Sequence, residues 1–318
     1  MGFGAKPQLD EGMKQLSKFY SGFVSIIGRP NVGKSTILNY ILGEKIAIVS
    51  NKPQTTRNQI RGVLTQEGCQ AVFIDTPGIT KPNSKLGRYM AREAKNALNA
   101  VDVVLFVVLP SAYIGPGDME IIERLRHIDS SVFLVINKID TVVREKLLEV
   151  IGAYRDYMEF DEVVPVSASR GDNMDELLSA VKARLPEGPK YFPDDMLTDQ
   201  PERQLAAELI REKLLILLED ELPHGTAVEI LSMTKRQSGG SRQGKELIDI
   251  DATIYCEKAS HKGMIIGAGG AKLKMVGTKA RADIERLLGS TIYLWLWVKV
   301  KKGWRDNDFI LRNFGYEE

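Results

Sequence analysis

Four short groups of residues with phosphate-binding and base-binding chemistry follow one another along the first half of the chain. The first group runs from Gly28 to Ser35 and fits G-x-x-x-x-G-K-[ST] without a mismatch. In such a loop, backbone N–H groups point at phosphate oxygens and the next helix adds the partial positive charge of its N-terminus. Lys34 would reach the β- and γ-phosphates, and the hydroxyl of Ser35 would ligate Mg²⁺. The predicted phosphate site is Gly28, Arg29, Pro30, Asn31, Val32, Gly33, Lys34, Ser35 and Thr36.

The second group lies at the end of the apolar run 72–74 and begins with an acidic residue, Asp75. A carboxylate at the end of a strand can hold a magnesium ion, usually through a water molecule. The sequence therefore adds five residues to the predicted nucleotide site: Asp75, Thr76, Pro77, Gly78 and Ile79.

The third and fourth groups have the chemistry to select a base. Asp140 can accept hydrogen bonds from both N1–H and the 2-amino group of guanine, whereas adenine would leave this carboxylate unpaired. Asn137 can bind the other base edge, and the stem of Lys138 can lie along the ring. A backbone N–H near Ser167 and Ala168 can meet guanine O6. Four motifs in this order, each after an apolar run, indicate a guanine-nucleotide site rather than chance, with base contacts from Asn137, Lys138, Ile139, Asp140, Ser167 and Ala168.

The composition is that of a globular protein with room for about two domains. The chain has 318 residues, of which 43% are hydrophobic and 27% charged, and its net charge is +1. Two cysteines favour a reducing cytosol over a disulfide framework, and three scattered histidines indicate no zinc site. No apolar run approaches the ~20 residues that span a bilayer. Residues 1–20 are polar, lack the core of a signal peptide and are predicted to form a flexible tail.

The motifs need a sheet that brings strand ends together. From 21 to 187, short apolar runs alternate with helix-length stretches, and the run 103–109 suits a strand buried on both faces of a parallel sheet. This pattern predicts a doubly wound α/β domain, whose ligand loops lie at the carboxyl ends of its strands. Three prolines and a glycine after residue 185 predict an extended linker over 188–201.

The second domain is predicted to cover 202–318, with a C-terminal tail. A helix is expected from Glu202 to Leu222, and residues 247–257 and 291–301 alternate as half-buried strands. The predicted order is helix, strand, strand, helix, glycine loop, helix, strand. Trp295 and Trp297 lie on the polar face of the last strand, where they could stack bases but are rather expected to cover a helix or the other domain.

Charge distinguishes the two halves. Residues 21–187 hold 20 basic and 20 acidic residues, whereas 258–305 holds 11 Lys and Arg against Asp283 and Glu285. A basic patch around a G-x-x-G turn between two helices is typical of a KH module, which binds about four nucleotides of single-stranded RNA. A solvated basic face is the alternative. The predicted RNA contacts are Lys262, Gly267, Ala268, Gly269, Gly270, Lys272 and Lys274.

With these residues in place, the chain closely resembles the Era family of bacterial GTPases, a Ras-like G domain followed by a KH domain. The resemblance covers about 21–316 and includes 53–57, 223–225, 262–267, 296–301 and 311–316 besides the motifs above. It implies GTP hydrolysis, binding to the 3′ end of 16S ribosomal RNA, a role in maturation of the small ribosomal subunit, and loose association with the inner face of the cytoplasmic membrane. No DNA partner is expected. Ala268 departs from the family's usual lysine, which leaves Lys262, Lys272 and Lys274 to supply the charge.

The implied mechanism is attack of water on the γ-phosphate, with catalytic roles for Lys34, Ser35, Thr56 and Asp75. By analogy with related switch segments, Thr56 rather than Thr55 joins Ser35 and Asp75 at the metal. Ile79 stands where Ras-like enzymes place a glutamine that orients the water, so slow intrinsic turnover is expected. Asn31 either helps to hold K⁺ or only shapes the loop.

Two other classes of function compete with this interpretation. An RNA-binding module with an inert nucleotide pocket would not need the intact Lys34, Ser35 and Asp75. A membrane-remodelling GTPase would need a hydrophobic paddle or a long helical tail, and the sequence after the basic strand has neither.

Overall fold

A computed structural model describes residues 18–52, 54–78, 84–98, 101–219, 225–236 and 246–316. Several positions singled out in the sequence lie outside these ranges. They are the N-terminal tail up to residue 17, Pro53 of the switch segment 53–57, Ile79, Leu222, and the residues Pro223 and His224.

Within the described residues, a sheet of six strands organises the first half of the chain, in the order β2-β3-β1-β4-β5-β6. Only β2 runs antiparallel to its neighbour, and the other pairs are parallel. All side chains of β4 are buried, as expected for a central strand with helices on both faces. The strands are β1 (Tyr20–Ile27), β2 (Ile60–Gln66), β3 (Cys69–Asp75), β4 (Val103–Val108), β5 (Ser131–Asn137) and β6 (Glu162–Val166).

Capping residues in the sequence explain where the first two helices of this half begin or end. The first helix starts directly after the phosphate-loop glycine Gly33 and stops at Gly43, both with positive φ. The hydroxyl of Ser84 caps the second helix by accepting from the backbone N–H of Gly87 at 3.0 Å. The helices are α1 (Lys34–Leu42), α2 (Lys85–Asn96), α3 (Pro116–Leu125), α4 (Arg144–Arg155) and α5 (Met174–Ala183).

The segment 188–201 lies against the first sheet rather than free in solvent. Gln70 on β3 accepts from the backbone N–H groups of Tyr191 and Phe192 at 2.8 and 2.9 Å. The backbone N–H of Val63 donates to the carbonyl of Leu197 at 2.8 Å. These bonds hold the start of the second half beside β2.

The second half has the element order that the sequence predicts. A three-stranded sheet, β7-β8-β9, pairs β7 with β8 antiparallel and β8 with β9 parallel. Its inner face packs on α6 and α8 through a buried cluster that includes Ile250, Ile254 and Ile284. The elements are α6 (Glu202–Leu217), β7 (Ala227–Lys235), β8 (Leu247–Cys256), α7 (Ala259–Ile266), α8 (Ala271–Leu288) and β9 (Thr291–Val300).

The helix α6 is shorter than predicted. It ends at Leu217 because Leu218 adopts an extended conformation, whereas the sequence suggested a helix to Leu222. The acidic residue Glu219 follows, and negative charge is unfavourable at a helix C-terminus. In the part of the chain that the structure describes, no helix has both the length and the apolar character to cross a membrane.

A short C-terminal segment packs against both halves. It consists of a 3₁₀ turn at Trp304–Asp306 and the helix α9 (Asp308–Asn313). Trp304 is fully buried, and with Tyr316 and Leu311 it forms a cluster with Leu86 and Met90 of α2. The two halves therefore share a buried contact.

Candidate functional site

The phosphate loop connects β1 to α1 in a conformation that depends on glycine. Gly33 has φ +103°, and a Cβ atom there would lie 2.1 Å from the side-chain nitrogen of Asn137. The ammonium group of Lys34 donates to the carbonyl oxygens of Gly28 and Arg29 at 3.1 and 3.0 Å, closing the loop on itself. Burial lowers the pKa of Lys34 to about 8, and the nearby carboxylate of Asp75 opposes that shift.

The loop also rests on a buried acidic group that the sequence did not reveal. Arg29 Nε lies 2.9 Å from Oδ1 of Asp118, a fully buried residue in the first turn of α3. Burial raises the pKa of Asp118, while Arg29 and a hydrogen bond from Tyr154 oppose that shift. The side chain of Arg29 thus attaches the loop to α3 through Asp118. Arg29 was predicted as a site residue, and since its side chain is engaged with Asp118, its backbone is the part that contributes to the phosphate site.

Three predicted magnesium-binding side chains come together beside Lys34. The hydroxyl of Ser35 donates to Oδ2 of Asp75 at 2.6 Å and lies 3.1 Å from the hydroxyl of Thr56, which is 3.4 Å from the same carboxylate. Burial raises the pKa of Asp75, although Lys34, Ser35 and Thr56 all stabilise its charged form. Oδ1 of Asp75 is buried and has no hydrogen-bond partner among the described residues. Hard oxygen ligands around an unsatisfied carboxylate fit Mg²⁺.

The segment that carries Thr56 is bonded to the phosphate loop and to itself. Asn31 in the phosphate loop donates to the carbonyl of Asn51 at 2.6 Å. Thr55, the rejected alternative to Thr56, instead donates to the carbonyl of Lys52 at 2.6 Å. This arrangement supports the choice of Thr56 and gives the Asn31 amide a structural contact, while the potassium interpretation stays a prediction.

A second corner of the site forms where β5 and β6 end. Asp140 accepts from the hydroxyl of Ser167 at 2.7 Å, and this bond lowers the pKa of Asp140, which keeps the side chain ionised at neutral pH. Asn137 is buried, donates to the carbonyl of Val32 at 2.9 Å and accepts from the N–H of Ala168 at 3.1 Å. Asn137 therefore ties the base-binding corner to the phosphate loop.

The ammonium group of Lys138 strengthens the same connection by donating to the carbonyl of Asn31 at 2.8 Å. Ile139 belongs to a 3₁₀ turn, Ile139–Thr141, that presents Asp140. Val32 is fully buried in the core, and only its backbone takes part in the site.

A cavity of about 140 Å³ lies between the phosphate loop and the switch segment. The remaining predicted residues of this region have clear positions: Thr76 donates to the carbonyl of Ile26 at 2.9 Å, and Gly78 packs so closely on Pro30 that a Cβ would lie 2.8 Å from its ring. The cavity is lined by Pro30, Asn31, Gly33, Lys34, Ser35, Thr36, Gly78, Lys138 and residues between Ile48 and Thr56.

The glycine loop of the second half projects from the fold between α7 and α8. Gly267, Gly269 and Gly270 have φ values of +73°, +57° and +80°, which a side chain rarely adopts. Ala268 and Gly269 are exposed, as are the cations Lys262, Lys272 and Lys274. Lys262 lies on α7 and Lys272 and Lys274 lie on α8, so the predicted cations flank the turn on both sides, and their role in RNA binding stays a prediction.

The turn opens onto a groove of about 500 Å³ between α8 and β9, which the sequence did not locate. Its apolar floor includes Leu273 and Leu296, and Arg281 adds a cation. The groove is lined by Gly270, Leu273, Lys274, Gly277, Thr278, Arg281 and 293–296. Periodicity indicated which face of β9 is buried, but the groove depends on how α8 crosses that strand.

The expectation that Trp295 and Trp297 of β9 cover a helix or the other domain is wrong. Half of the surface of Trp295 and 55% of that of Trp297 is exposed, so neither ring is covered by the described chain. The indole that does bridge the halves is Trp304.

Comparison with known proteins matches both halves. Residues 23–138 match a family described as "50S ribosome-binding GTPase", and residues 221–305 match the KH domain family. The chain is 56% identical to GTPase Era of Alkaliphilus metalliredigens over 299 residues, covering 94% of this chain and 99% of that protein. It is also 56% identical to GTPase Era of Clostridioides difficile over 301 residues, with coverage of 94% and 99%.

Two solved structures extend the similarity to the whole fold. One is a variant of Aquifex aeolicus Era bound to GDP·AlF₄⁻, and the other is Era in complex with MgGDPNP and nucleotides 1506–1542 of 16S ribosomal RNA. Each is 39% identical with a TM-score of 0.89, covering 94% of this chain and 100% of the other.

Proposed function

The chain belongs to the Era family of GTPases, and from this premise we propose that it binds single-stranded 16S ribosomal RNA near its 3′ end and assists maturation of the small ribosomal subunit. GTP hydrolysis is the activity of the family, and the chain has a Ras-like G domain followed by a KH domain. The proposed boundaries are 21–187 for the G domain, 188–201 for the linker and 202–318 for the KH domain with its tail.

The proposal gives the residues of the nucleotide site distinct tasks in hydrolysis. Lys34 and the N–H groups of the loop bind phosphate oxygens, while the hydroxyls of Ser35 and Thr56 and the carboxylate of Asp75 are the oxygens available to magnesium. Magnesium, when bound with the nucleotide, supplies positive charge that offsets charge on the phosphates. Asp140 and the Ala168 backbone select guanine.

Turnover without a partner is proposed to be slow. The side chain of Ile79 cannot orient a water molecule by hydrogen bonding, and Ile79 follows directly on Gly78. A partner or a movement on binding would then have to complete the site.

Potassium is a further proposed cofactor. If Asn31 helps to hold K⁺ beside the phosphates, hydrolysis should be faster in K⁺ than in Na⁺ at equal ionic strength, and Asn31→Ala should remove that difference. Equal wild-type rates in the two salts would leave the side chain of Asn31 a structural role, through its bond to the carbonyl of Asn51.

The observation that carries the RNA proposal is the exposed turn Gly267–Gly270 beside the α8–β9 groove. Gly269 and Gly270 have positive φ angles, which favour glycine, and because glycine has no side chain the backbone can approach a phosphodiester chain there. Exposed lysines on both sides attract phosphate. The solved complex of Era with 16S nucleotides, which has the same architecture over 94% of this chain, supports this assignment.

The two comparisons point to different ribosomal subunits. The description of the GTPase family names the 50S subunit but matches only residues 23–138. The relatives that include the KH half are Era proteins, and one solved Era complex contains 16S RNA. We therefore favour the small subunit. A cytoplasmic location and a loose membrane association remain predictions from the family resemblance.

The test combines binding and cellular capture. A labelled oligonucleotide with the 16S 3′-terminal sequence should bind the full-length protein more tightly than a scrambled sequence in the presence of a non-hydrolysable GTP analogue. Crosslinking in cells should recover the same region of 16S RNA. Recovery of 23S RNA instead would contradict the small-subunit assignment, and equal binding of both oligonucleotides would contradict the 3′-end assignment.

A further inference from the structure

The outer face of the second sheet carries a stripe of exposed aromatic side chains that hydrolysis and groove binding do not explain. Tyr293, Trp295 and Trp297 occupy successive outward positions of β9, and each is about half exposed. The alternating residues Leu294 and Leu296 pack toward the helices. Contiguous exposed apolar surface of this kind marks binding sites on soluble proteins.

The spacing of the stripe suits flat rings. Alternate residues on a strand lie about 6.8 Å apart, which is twice the ~3.4 Å separation of stacked bases. The rings of Tyr293 and Trp295 already contact each other with centroids 5.0 Å apart, and the guanidinium of Arg236 lies 5.6 Å from the Tyr293 centroid. The strand repeat of about 6.8 Å between Trp295 and Trp297 matches the space that one inserted base needs, so we assign the nucleobase to this interval.

The charges beside this interval favour a defined orientation of a nucleotide. Lys299 is the next outward residue of β9 and is exposed, so it can attract phosphate. Asp251 lies beside Trp295 in the β8–β9 register, and its Oδ1 is buried without a hydrogen-bond partner in the described part of the chain. The negative charge of this carboxylate repels phosphate. The base thus belongs at the indoles and the backbone toward Lys299.

The stripe is also continuous with the groove. Tyr293 and Trp295 contribute to both surfaces, and β9 is the edge strand of its sheet. A nucleic-acid strand that leaves the groove across this edge would pass Tyr293 and Trp295, which border both the groove and the outer face. The continuity favours RNA as the occupant over an unrelated partner.

We propose that Trp295, Trp297 and Lys299 form a second RNA subsite, where one base of a single strand inserts between the two indole rings after the strand leaves the groove. This inference rests on the function proposed above, because the groove supplies the first nucleotides of the same strand. Stacking of this kind tolerates different bases, since every base has a flat π-face.

The test compares two labelled oligonucleotides by fluorescence anisotropy with the full-length protein and a GTP analogue. One has roughly the four nucleotides that a KH turn contacts, and the other has roughly ten, enough to pass over the edge. Trp297→Ala should weaken binding of the longer strand by about 5- to 100-fold and leave the shorter one unchanged. Trp297→Phe, which keeps a flat ring, should restore most of the loss.

Phe309 provides a matched control, because it is an exposed aromatic that lies on α9 rather than on β9. Phe309→Ala should change neither affinity. In a Trp295→Phe background, where the other remaining tryptophan, Trp304, is fully buried, the longer RNA should also quench the emission of the exposed Trp297, which a purely structural role would not produce.

The outcomes separate the two proposals. If Trp297→Ala binds both strands as wild type does, or weakens both equally, the second subsite is wrong while groove binding stands. If the wild-type protein binds neither strand, the proposed RNA function fails and this inference with it. If an arginine-rich peptide quenches Trp297 and the longer RNA does not, the stripe binds protein and the RNA assignment is overturned.

Discussion

At the scale of single residues, burial controls the protonation of Lys34, the side chain predicted to contact the phosphates of the nucleotide. Its pKa is lowered to about 8 in the free protein, and a bound triphosphate would favour the charged form. Binding above that pH must therefore take up a proton. We expect GTP affinity to be level just below pH 8 and to fall as the pH rises through that value, measured by equilibrium titration with a fluorescent GTP analogue.

The matched variant for this prediction is Lys34→Arg. A guanidinium stays charged throughout the range, so the variant should lose the pH dependence even if its affinity is lower. A wild-type affinity that stays level from neutral pH to about pH 9 would contradict the lowered pKa.

Asp140 is the residue on which base selection depends. It accepts from Ser167, which leaves its carboxylate ionised and ready to accept from guanine. Asp140→Asn replaces an acceptor with a group that is half donor, so GTP affinity should fall by roughly 100-fold or more, and xanthosine triphosphate should become the preferred ligand. Asp172→Asn, at an exposed residue of the neighbouring loop, should change neither affinity. Wild-type protein that binds ATP as tightly as GTP would refute the base assignment.

The meeting of Lys34, Ser35 and Asp75 could be predicted from sequence, because each follows a strand and parallel strands end at one edge. Thr56 needed the family resemblance, since it lies on a loop with no periodic signal. Asp118 could not be predicted as a partner of Arg29, because a charged residue at the start of an exposed helix is the ordinary interpretation of its position.

Among the elements, the α7–turn–α8 unit depends on backbone conformation more than on side chains. Gly269 has φ +57°, a conformation that aspartate tolerates better than most residues, and a Cβ there meets no protein atom within 4 Å. Gly269→Asp should therefore keep the fold but set a side chain and a negative charge against phosphate. We expect RNA binding to be lost with GTP affinity unchanged, as measured by anisotropy and nucleotide titration.

The opposite change, Ala268→Lys, provides the counterpart. Restoring a cation at this exposed position should tighten RNA binding and steepen the log–log salt dependence by about 0.7 for one added phosphate contact. If Gly269→Asp binds RNA as wild type does, the turn is not the RNA site.

Two elements, β9 and the extended segment after residue 185, show what could not be predicted from the sequence. The alternation in β9 correctly separated its two faces, but it could not show whether Trp295 and Trp297 were covered, because covering depends on elements far along the chain. The extended segment after residue 185 was predicted from prolines, whereas its bonds to Gln70 and Val63 depend on two strands, β3 and β2, that lie more than 100 residues earlier in the chain.

At the scale of the whole molecule, the two halves meet at the segment between α1 and β2, which includes Lys45, Thr55 and Arg57. Arg57 is buried, donates to the carbonyl of Thr226 at 2.9 Å and to the hydroxyl of Tyr316 at 3.2 Å, and lies 5.5 Å from the ring centroid of Trp304. Arg211 of α6 donates to the carbonyl of Thr55. Lys45 bridges Glu212 and Asp283 at 2.6 and 2.9 Å.

This contact predicts the effect of Arg57→Ala. A buried cation over aromatic rings contributes about 2 kcal/mol, so its loss should loosen the C-terminal segment and expose Trp304 to water. With Trp295 and Trp297 replaced by phenylalanine, the emission of Trp304 should shift to longer wavelength. Arg61→Ala, which removes a partly exposed pair with Asp199, should cause no shift. An unchanged spectrum for Arg57→Ala would show that other contacts hold the segment.

None of these long-range partners could be inferred from the sequence alone. Thr226 and Tyr316 lie 169 and 259 residues from Arg57, and no periodic pattern links positions so far apart. The sequence identified the switch segment 53–57 by its resemblance to the family. The surface that contacts Arg57, formed by Thr226, Trp304 and Tyr316, could be identified only from the three-dimensional structure.

Thr56 and Arg57 are consecutive residues, with the first at the carboxylate of Asp75 and the second at the ring of Trp304. Their Cα atoms are held about 3.8 Å apart by the peptide bond, so a displacement of one is transmitted to the other. Equilibrium then imposes reciprocity: by whatever factor GTP changes the affinity for RNA, RNA must change the affinity for GTP. Measuring the affinity for GTP with and without RNA, and the affinity for RNA with and without GTP, closes a thermodynamic cycle. The coupling free energies from these two pairs of measurements must agree.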